Sequence, residues 1–253
     1  MERQEPQAVP REIKVSPDIV LSPFGCAFHS EAGALLLADL HIGYEATLEG
    51  EGFAMPRMQT IEMISRLNRA IDCYDPSVVI VVGDLKHNFD RNLAAEWNGV
   101  ERFVDEISGK VRLSILKGNH DNYLATILSK RGIRLEKELY LGNILVAHGH
   151  ETRSAHSGGM ILAHEHPALR IRESTGASVK MPCFLYDSEN GRLVLPAFSP
   201  LALGSDVIST PDSERMIPLL AETGIERYIA YGFSGKDILN YREVSKLRKM
   251  GKV

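Results

Sequence analysis

Nothing in this sequence approaches the run of ~18 apolar residues that a membrane-spanning helix needs. Its first residues, MERQEPQAVPREIKVSP, are polar, hold three prolines and lack the apolar centre of a secretion signal. Cysteine is scarce: Cys26, Cys73 and Cys183 form no CxxC pair, which argues against a disulfide framework and fits a reducing compartment. A large charge excess of either sign is also missing. The formal net charge of -4 argues against a strongly basic surface but does not exclude a nucleic-acid partner, since bound divalent ions would add positive charge locally. The single tryptophan, Trp97, falls at helical apolar spacing and reads as core. The expectation from these absences is a cytoplasmic protein with no membrane partner.

What is present is an alternation of strand and helix patterns over 253 residues, enough for one large α/β domain. Residues 1–16 read as a flexible N-terminal arm, and 17–253 as one domain. Ala34 to Ala38 and Val78 to Val82 are short, wholly apolar runs of the kind that form buried parallel strands. Val111 to Leu116 is a third strand. Between them lie two helical patterns. Pro56 opens one, with Met58, Ile61, Ile64, Leu67 and Ile71 on one face. Leu93, Trp97, Val100, Val104 and Ile107 mark the other, ended by Gly109. Asp121 to Lys130 reads as a further helix. Beyond it, Leu135–Leu141 and Ile144–Ala147 flank Gly142-Asn143, and Cys183–Tyr186 and Arg192–Leu195 flank a turn ending in Asn190-Gly191. Both are hairpin signals. The expected fold is α/β: a βαβαβ half and a mainly antiparallel half, giving two packed mixed β-sheets with helices outside.

Five of the apolar runs end in side chains able to bind metal. ALLLA precedes Asp39-Leu40-His41, VVIVV precedes Gly83-Asp84, and LSILK precedes Gly118-Asn119-His120-Asp121. NILVA precedes His148-Gly149-His150, and a run from Met160 to Ala163 precedes His164-Glu165-His166. Ligands of open α/β sheets bind beyond the carboxyl ends of strands, so the five clusters are expected on one rim. Residues i and i+2 on an extended segment share a side, so Asp39 and His41 are expected to address one ion together, and His164 and His166 one each of two adjacent ions. Gly83 and Gly118 would let the backbone approach closely. A donor set of carboxylate, imidazole and amide, free of thiolate, suits Mn²⁺, Fe or Zn²⁺. Singly, DxH or GD is a common accident; five in order, each after a buried run, are not.

DxH, GD, GNHD, HG and HxH in this order resemble the calcineurin-like metallophosphoesterase superfamily. The segments LADLHIGYE, GDLKH, AHGH, AHEHP and LPAFSPLALG are similar to its SbcD-related archaeal phosphoesterases and DNA-ligase-associated metallophosphoesterases. The resemblance implies a four-layer αββα sandwich and a binuclear metal-dependent hydrolase that cleaves phosphate esters with a metal-bridging hydroxide. Two divalent ions, Mn first with Fe and Zn as alternatives, would be bound. It places Asp39, His41, Asp84 and His166 on one ion, and Asp84, Asn119, His148 and His164 on the other, with Asp84 shared. His120 would be the catalytic imidazole and Asp121 would orient it. The last motif usually begins with glycine, where this chain has Ala163. Leu85-Lys86-His87 follow the GD pair in place of a second acidic residue, so His87, with Lys86 and His150, is read as a supporting or phosphate-contacting group.

Three functions compete. The resemblance favours a DNA-repair-related nuclease with single-stranded DNA as substrate and a repair protein as partner. The alternatives are a small-molecule phosphodiesterase or phosphatase, acting for example on a cyclic nucleotide, and a non-catalytic scaffold. The scaffold ranks last because every ligand position is filled. Lys86, Arg153, Arg170 and Arg172 lie near the motifs in sequence and would supply a cationic rim. The basic tail Arg242–Lys252 reads as a solvated helix end. Oligomeric state stays open, a homodimer included.

Overall fold

The computed structural model describes residues 11–54, 56–89, 94–152, 154–172, 178–202 and 204–250. Leu93, Arg153, Lys252 and the side chain of Arg172 lie outside the described residues, as does most of the expected arm. Two mixed sheets face each other. The first is β1 (Ile13–Lys14), β2 (Ile19–Leu21), β3 (Ala27–His29), β4 (Ala34–Leu37), β5 (Val78–Val82), β6 (Arg112–Leu116) and β7 (Leu135–Glu136), in that spatial order. Its first four strands are antiparallel and β4 to β7 are parallel. The second runs β14 (Ser205–Asp206), β11 (Pro167–Arg172), β12 (Ser178–Asp187), β13 (Arg192–Val194), β10 (Met160–Leu162), β9 (Ile144–Ala147) and β8 (Glu138–Leu141). To it β15 (Ile229–Phe233) and β16 (Ile238–Glu243) add beside β12.

Three apolar cores define four layers. A short helix α1 (Tyr44–Gly50) follows β4, and Leu35, Leu37, Val79, Val81 and Ile115 pack under the helices α2 (Gln59–Tyr74), α3 (Ala94–Ser108) and α4 (Leu124–Ser129). Leu36, Ile80, Val146, Ile161 and Leu193 fill the space between the sheets. Leu145, Ala147, Met160 and Leu162 pack with residues of α5 (Pro218–Thr223) and α6 (Val244–Met250). Strands such as β5 are thus buried on both faces, which is why they read as unbroken apolar runs. No helix among the described residues is long and apolar enough to cross a membrane.

Several expectations need correction. Ile13–Lys14 pairs with β2, so the chain joins the sheet before residue 17. The first long helix starts at Gln59, and Met58 and Ile61 stay largely exposed while Met63, Ile64, Leu67 and Ala70 face the core. The helix expected from Asp121 starts at Leu124. The run Leu135–Leu141 splits: β7 completes the first sheet and β8 opens the second, pairing Leu141 with Ile144. The second hairpin forms as expected, with Asp187 opposite Arg192. The C-terminal half is nevertheless not wholly antiparallel, because β10 lies parallel to both β9 and β13. All three cysteines are free, and Trp97 packs against the helix-side core.

Candidate metal centre

The segments after β4, β5, β6, β9 and β10 meet at one edge of the two sheets. Beyond β4 and β5 the backbones keep pairing, with Asp39 N–H on the Gly83 carbonyl (3.1 Å) and His41 N–H on the Asp84 carbonyl (3.0 Å). They do so in an unusual conformation. Asp39, His41, Asp84, His164 and His166 all have φ between 45° and 67°. Left-handed backbone is uncommon outside glycine, though Asp and His tolerate it better than most, and such residues cluster at functional sites. The extended geometry expected for the i, i+2 pairs is therefore replaced by left-handed turns at the strand ends, which still bring Asp39 and His41 into one set and place His164 and His166 in two.

Three sets of side chains lie close enough to share a cation: Asp39, His41 and His166; Asp84, His148 and His164; and His41, His87 and His120. Asp39 Oδ1 stands 3.4 Å from His166 Nε2, and Asp84 Oδ2 stands 3.4 Å from His148 Nε2. Both carboxylates are almost wholly buried. Asn119 Oδ1 lies 3.2 Å from His148 Nε2. His148 Nδ1–H donates to the Val82 carbonyl (3.0 Å), which turns Nε2 inward. His164 N–H donates to Asp39 Oδ2 and His120 N–H to Asp84 Oδ1. The glycines fit closely. A Cβ on Gly83 would sit 2.3 Å from His148 Nδ1, and one on Gly118 would sit 2.1 Å from Asp84 Oδ1.

These residues fit divalent ions. Among the described residues no Lys or Arg pairs with Asp39 or Asp84, only histidines. Asp39 Oδ1 and His41 Nδ1 are buried without hydrogen-bond partners. The electrostatics show the same demand for positive charge. Burial alone would raise the carboxyls, yet neighbouring imidazoles hold Asp39 and Asp84 below their ordinary range. Burial disfavours charge on His148, but Asp84 and Asp39 push it up to about 9. His166 likewise rises despite burial, because of Asp39. Burial lowers His41 to about 3, and burial with nearby His148 lowers His164 to about 4, leaving both neutral and able to donate a lone pair.

Around this centre some readings change. Asp121 does not reach the His120 ring. Its Oδ1 accepts from Leu85 N–H (2.9 Å) and Lys86 N–H (3.3 Å) and its Oδ2 from Gly118 N–H (2.8 Å), so it ties the GD and GNHD loops together. Burial and the Asp84 charge raise its carboxyl to about 6. The His120 ring is anchored through Nδ1 on the His87 carbonyl. Lys86 is not a rim cation: it is buried, its ammonium 3.5 Å from buried Glu96 and bonded to the Asn88 carbonyl. Arg170 turns to Asp206 (3.6 Å). In the tail, Arg248 pairs with Asp212 (2.7 Å) and Lys246 with Glu243 (3.0 Å). His150 is outside the three sets, its ring 5.1 Å from that of His148. His87 joins the edge of the site and stacks on Tyr44, ring centroids 4.0 Å apart.

Three contributors have no signal of their own in the sequence reading. Tyr44 lies inside LADLHIGYE. Gln59 donates from Nε2 to the carbonyls of Leu40 (3.2 Å) and His41 (3.0 Å) and to Ser199 Oγ (2.8 Å). Glu165, wedged between two histidines, points away from the site. Its Oε2 accepts from Met216 N–H, and Oε1 pairs with Arg215 Nη1 at 3.2 Å.

Fold and site together define a metal-dependent phosphoesterase. Residues 34–232 match the calcineurin-like phosphoesterase family, and the chain belongs to that family. It is a hydrolase of phosphate esters from a family that uses divalent metal ions. Among solved structures, the Pseudomonas putida nuclease MPE is similar over 88% of this chain and 96% of its own, at 21% identity and a TM-score of 0.63. That likeness is one of fold. Yfce, a phosphoesterase from E. coli, is similar over 68% of this chain and 83% of its own, at 12% identity and a TM-score of 0.37, too loose to support an argument. No curated protein matches the sequence.

Proposed function

We propose that the protein is a binuclear metal-dependent nuclease that cuts single-stranded DNA internally. The observation that carries the metal site is the convergence of His41, Asn119, His148, His164 and His166 on two buried carboxylates, Asp39 and Asp84, that have no Lys or Arg partner among the described residues. In this reading Asp39, His41, Asp84 and His166 would hold one ion and Asp84, Asn119, His148 and His164 the other, with Asp84 serving both. When bound, the two ions, Mn first and Fe or Zn otherwise, act as Lewis acids and bring a water pKa down to about neutral.

The chain's own residues do the rest. The Val82 carbonyl fixes the His148 tautomer, and Gln59 holds the left-handed turn at His41. His120 is the part-exposed imidazole beside Asp84, with Nε2 3.9 Å from Oδ2. With Nδ1–H donating to the His87 carbonyl, Nε2 is left for the substrate, and from the imidazolium form it would give its proton to the leaving oxygen and return to the neutral ring. Asp121 acts on His120 only indirectly, by fixing the loop that carries it.

Three features support a nucleic acid. The quoted segments resemble the DNA-repair branch, which also suggests a repair protein as partner. A nuclease shares the fold. Beside His120, Phe89 is 55% exposed with its ring 6.3 Å from the imidazole, and Tyr123 is 60% exposed; such aromatic rings stack on unpaired bases. The test is a closed circular single strand with Mn²⁺. Incision of the circle is expected. A circle that survives while an aryl phosphodiester is hydrolysed transfers the reading to a small-substrate phosphodiesterase.

A further inference from the structure

The cationic rim expected from Lys86 and Arg170 is not there, but positive charge lines the site from another direction. A narrow cleft of about 150 Å³ opens beside His166 and is walled by Ser199, Arg66 and Phe233. Arg66 and Phe233 also wall a larger cleft of about 630 Å³ that continues past Arg69 to Ser234. The two hollows share these residues as walls and lie side by side, a trough in two parts with the smaller part beside His166.

Arg66, on α2, is half-buried. Its guanidinium carbon lies 4.1 Å from the centre of the Phe198 ring, and Nη2 donates to the Phe198 carbonyl. Its Nε is buried with no hydrogen-bond partner. Among the described residues neither Arg66 nor Arg69 has a carboxylate within ion-pairing distance. Glu62, on the same wall, attracts Arg66 only at longer range. Arg69 is exposed, its guanidinium carbon 4.9 Å from the centre of the Phe24 ring. A buried polar donor without a partner is costly, and a guanidinium fork matches the oxygens of a phosphate. Both cations are held by aromatic faces and not by acids, which leaves their charge available to a ligand.

We propose that this trough is a phosphate-tracking subsite: Arg66, and beyond it Arg69, bind backbone phosphates that flank the scissile one in a single strand. The inference rests on the nucleic-acid reading above and gives it a direction, from His166 along α2. A competing account makes Arg66 only a clamp on Phe198, whose amide bonds to the Ala38 carbonyl next to Asp39. That account leaves Nε without a partner and assigns nothing to Arg69.

The experiment compares Arg66→Gln, Arg69→Gln and, as a distant control, Arg227→Gln, whose parent residue pairs with Glu189 at the surface. Each is assayed with Mn²⁺ on a single-stranded oligonucleotide and on an aryl phosphodiester, which has no flanking phosphate. Each trough variant should lower kcat/KM on the oligonucleotide about tenfold, mainly through KM, the loss expected for a charge-assisted contact. The effect on the aryl diester should be several times smaller, and the control should match wild type on both. The salt dependence of oligonucleotide binding should also become shallower by about 0.7 in log–log slope per lost contact. Equal losses on both substrates would make Arg66 a clamp and overturn the proposal. So would unchanged oligonucleotide cleavage by Arg69→Gln, a variant that leaves the Phe198 contact intact. A wild-type enzyme that hydrolyses the aryl diester but no oligonucleotide would remove the nucleic-acid reading itself, and the trough with it.

Discussion

A Cβ placed on Gly118 would lie 2.1 Å from Oδ1 of Asp84 and 2.4 Å from its backbone nitrogen. The strand end after β6 therefore presses against the carboxylate at the centre of the site, and only glycine permits it. Gly118→Ala must push Asp84, its own loop, or both. A displacement near 1 Å at a reacting centre costs on the order of 10² in rate. The variant should stay folded by circular dichroism and lose at least that much activity on an aryl phosphodiester. Near-normal activity would mean that Asp84 does not need its present position.

His120 separates ligand from catalyst. Its Nδ1 is engaged by the His87 carbonyl, and the proposed ligand sets do not use it. His120→Ala should keep its metal, measured by elemental analysis, and lose about 10²–10⁴ in rate, as removal of a general acid does. The loss should shrink on an ester whose leaving group needs no proton. A variant short of metal would move His120 into the coordination sphere, through the set it forms with His41 and His87.

Glu165 and Arg215 form an ion pair in which both side chains are fully buried. Breaking such a pair from one side leaves a buried charge and costs about 3–5 kcal/mol. Arg215→Met should lower stability in urea by that order. Because Glu165 lies between His164 and His166, the variant should also bind Mn²⁺ more weakly. Unchanged stability would show that water or another group satisfies Glu165 once Arg215 is gone.

Much of this architecture was legible in the sequence for a physical reason. Strands buried on both faces, such as Val78–Val82, must be apolar throughout, and the chain can place polar chemistry only where they end. Hence the motif positions and the layered α/β class both follow from the runs. Conformation at those ends was not legible. The left-handed φ of Asp39 or His166 comes from tertiary packing, and no spacing rule announces it. Nor did position in sequence predict contact. Lys86 lies beside the GD motif but is drawn inward by Glu96, on a helix that begins only at Ala94. Arg66 sits far from every motif, yet the fold brings it to the cleft beside His166. The C-terminal hairpin signals correctly gave two turns, but they could not show that β10 inserts in parallel between β9 and β13.

The central claim is a two-ion site with Asp84 between the ions, and metal stoichiometry tests it most directly. Binding to the folded state alone stabilises by about 2.7 kcal/mol at a hundredfold excess over Kd, so Mn²⁺ should also raise the Tm of the wild type. Equilibrium dialysis of the metal-stripped protein against Mn²⁺ should give two ions per chain for the wild type and fewer than one tightly held ion for Asp84→Ala, with most of the Tm rise lost. Two ions bound as tightly by Asp84→Ala as by the wild type would contradict the account.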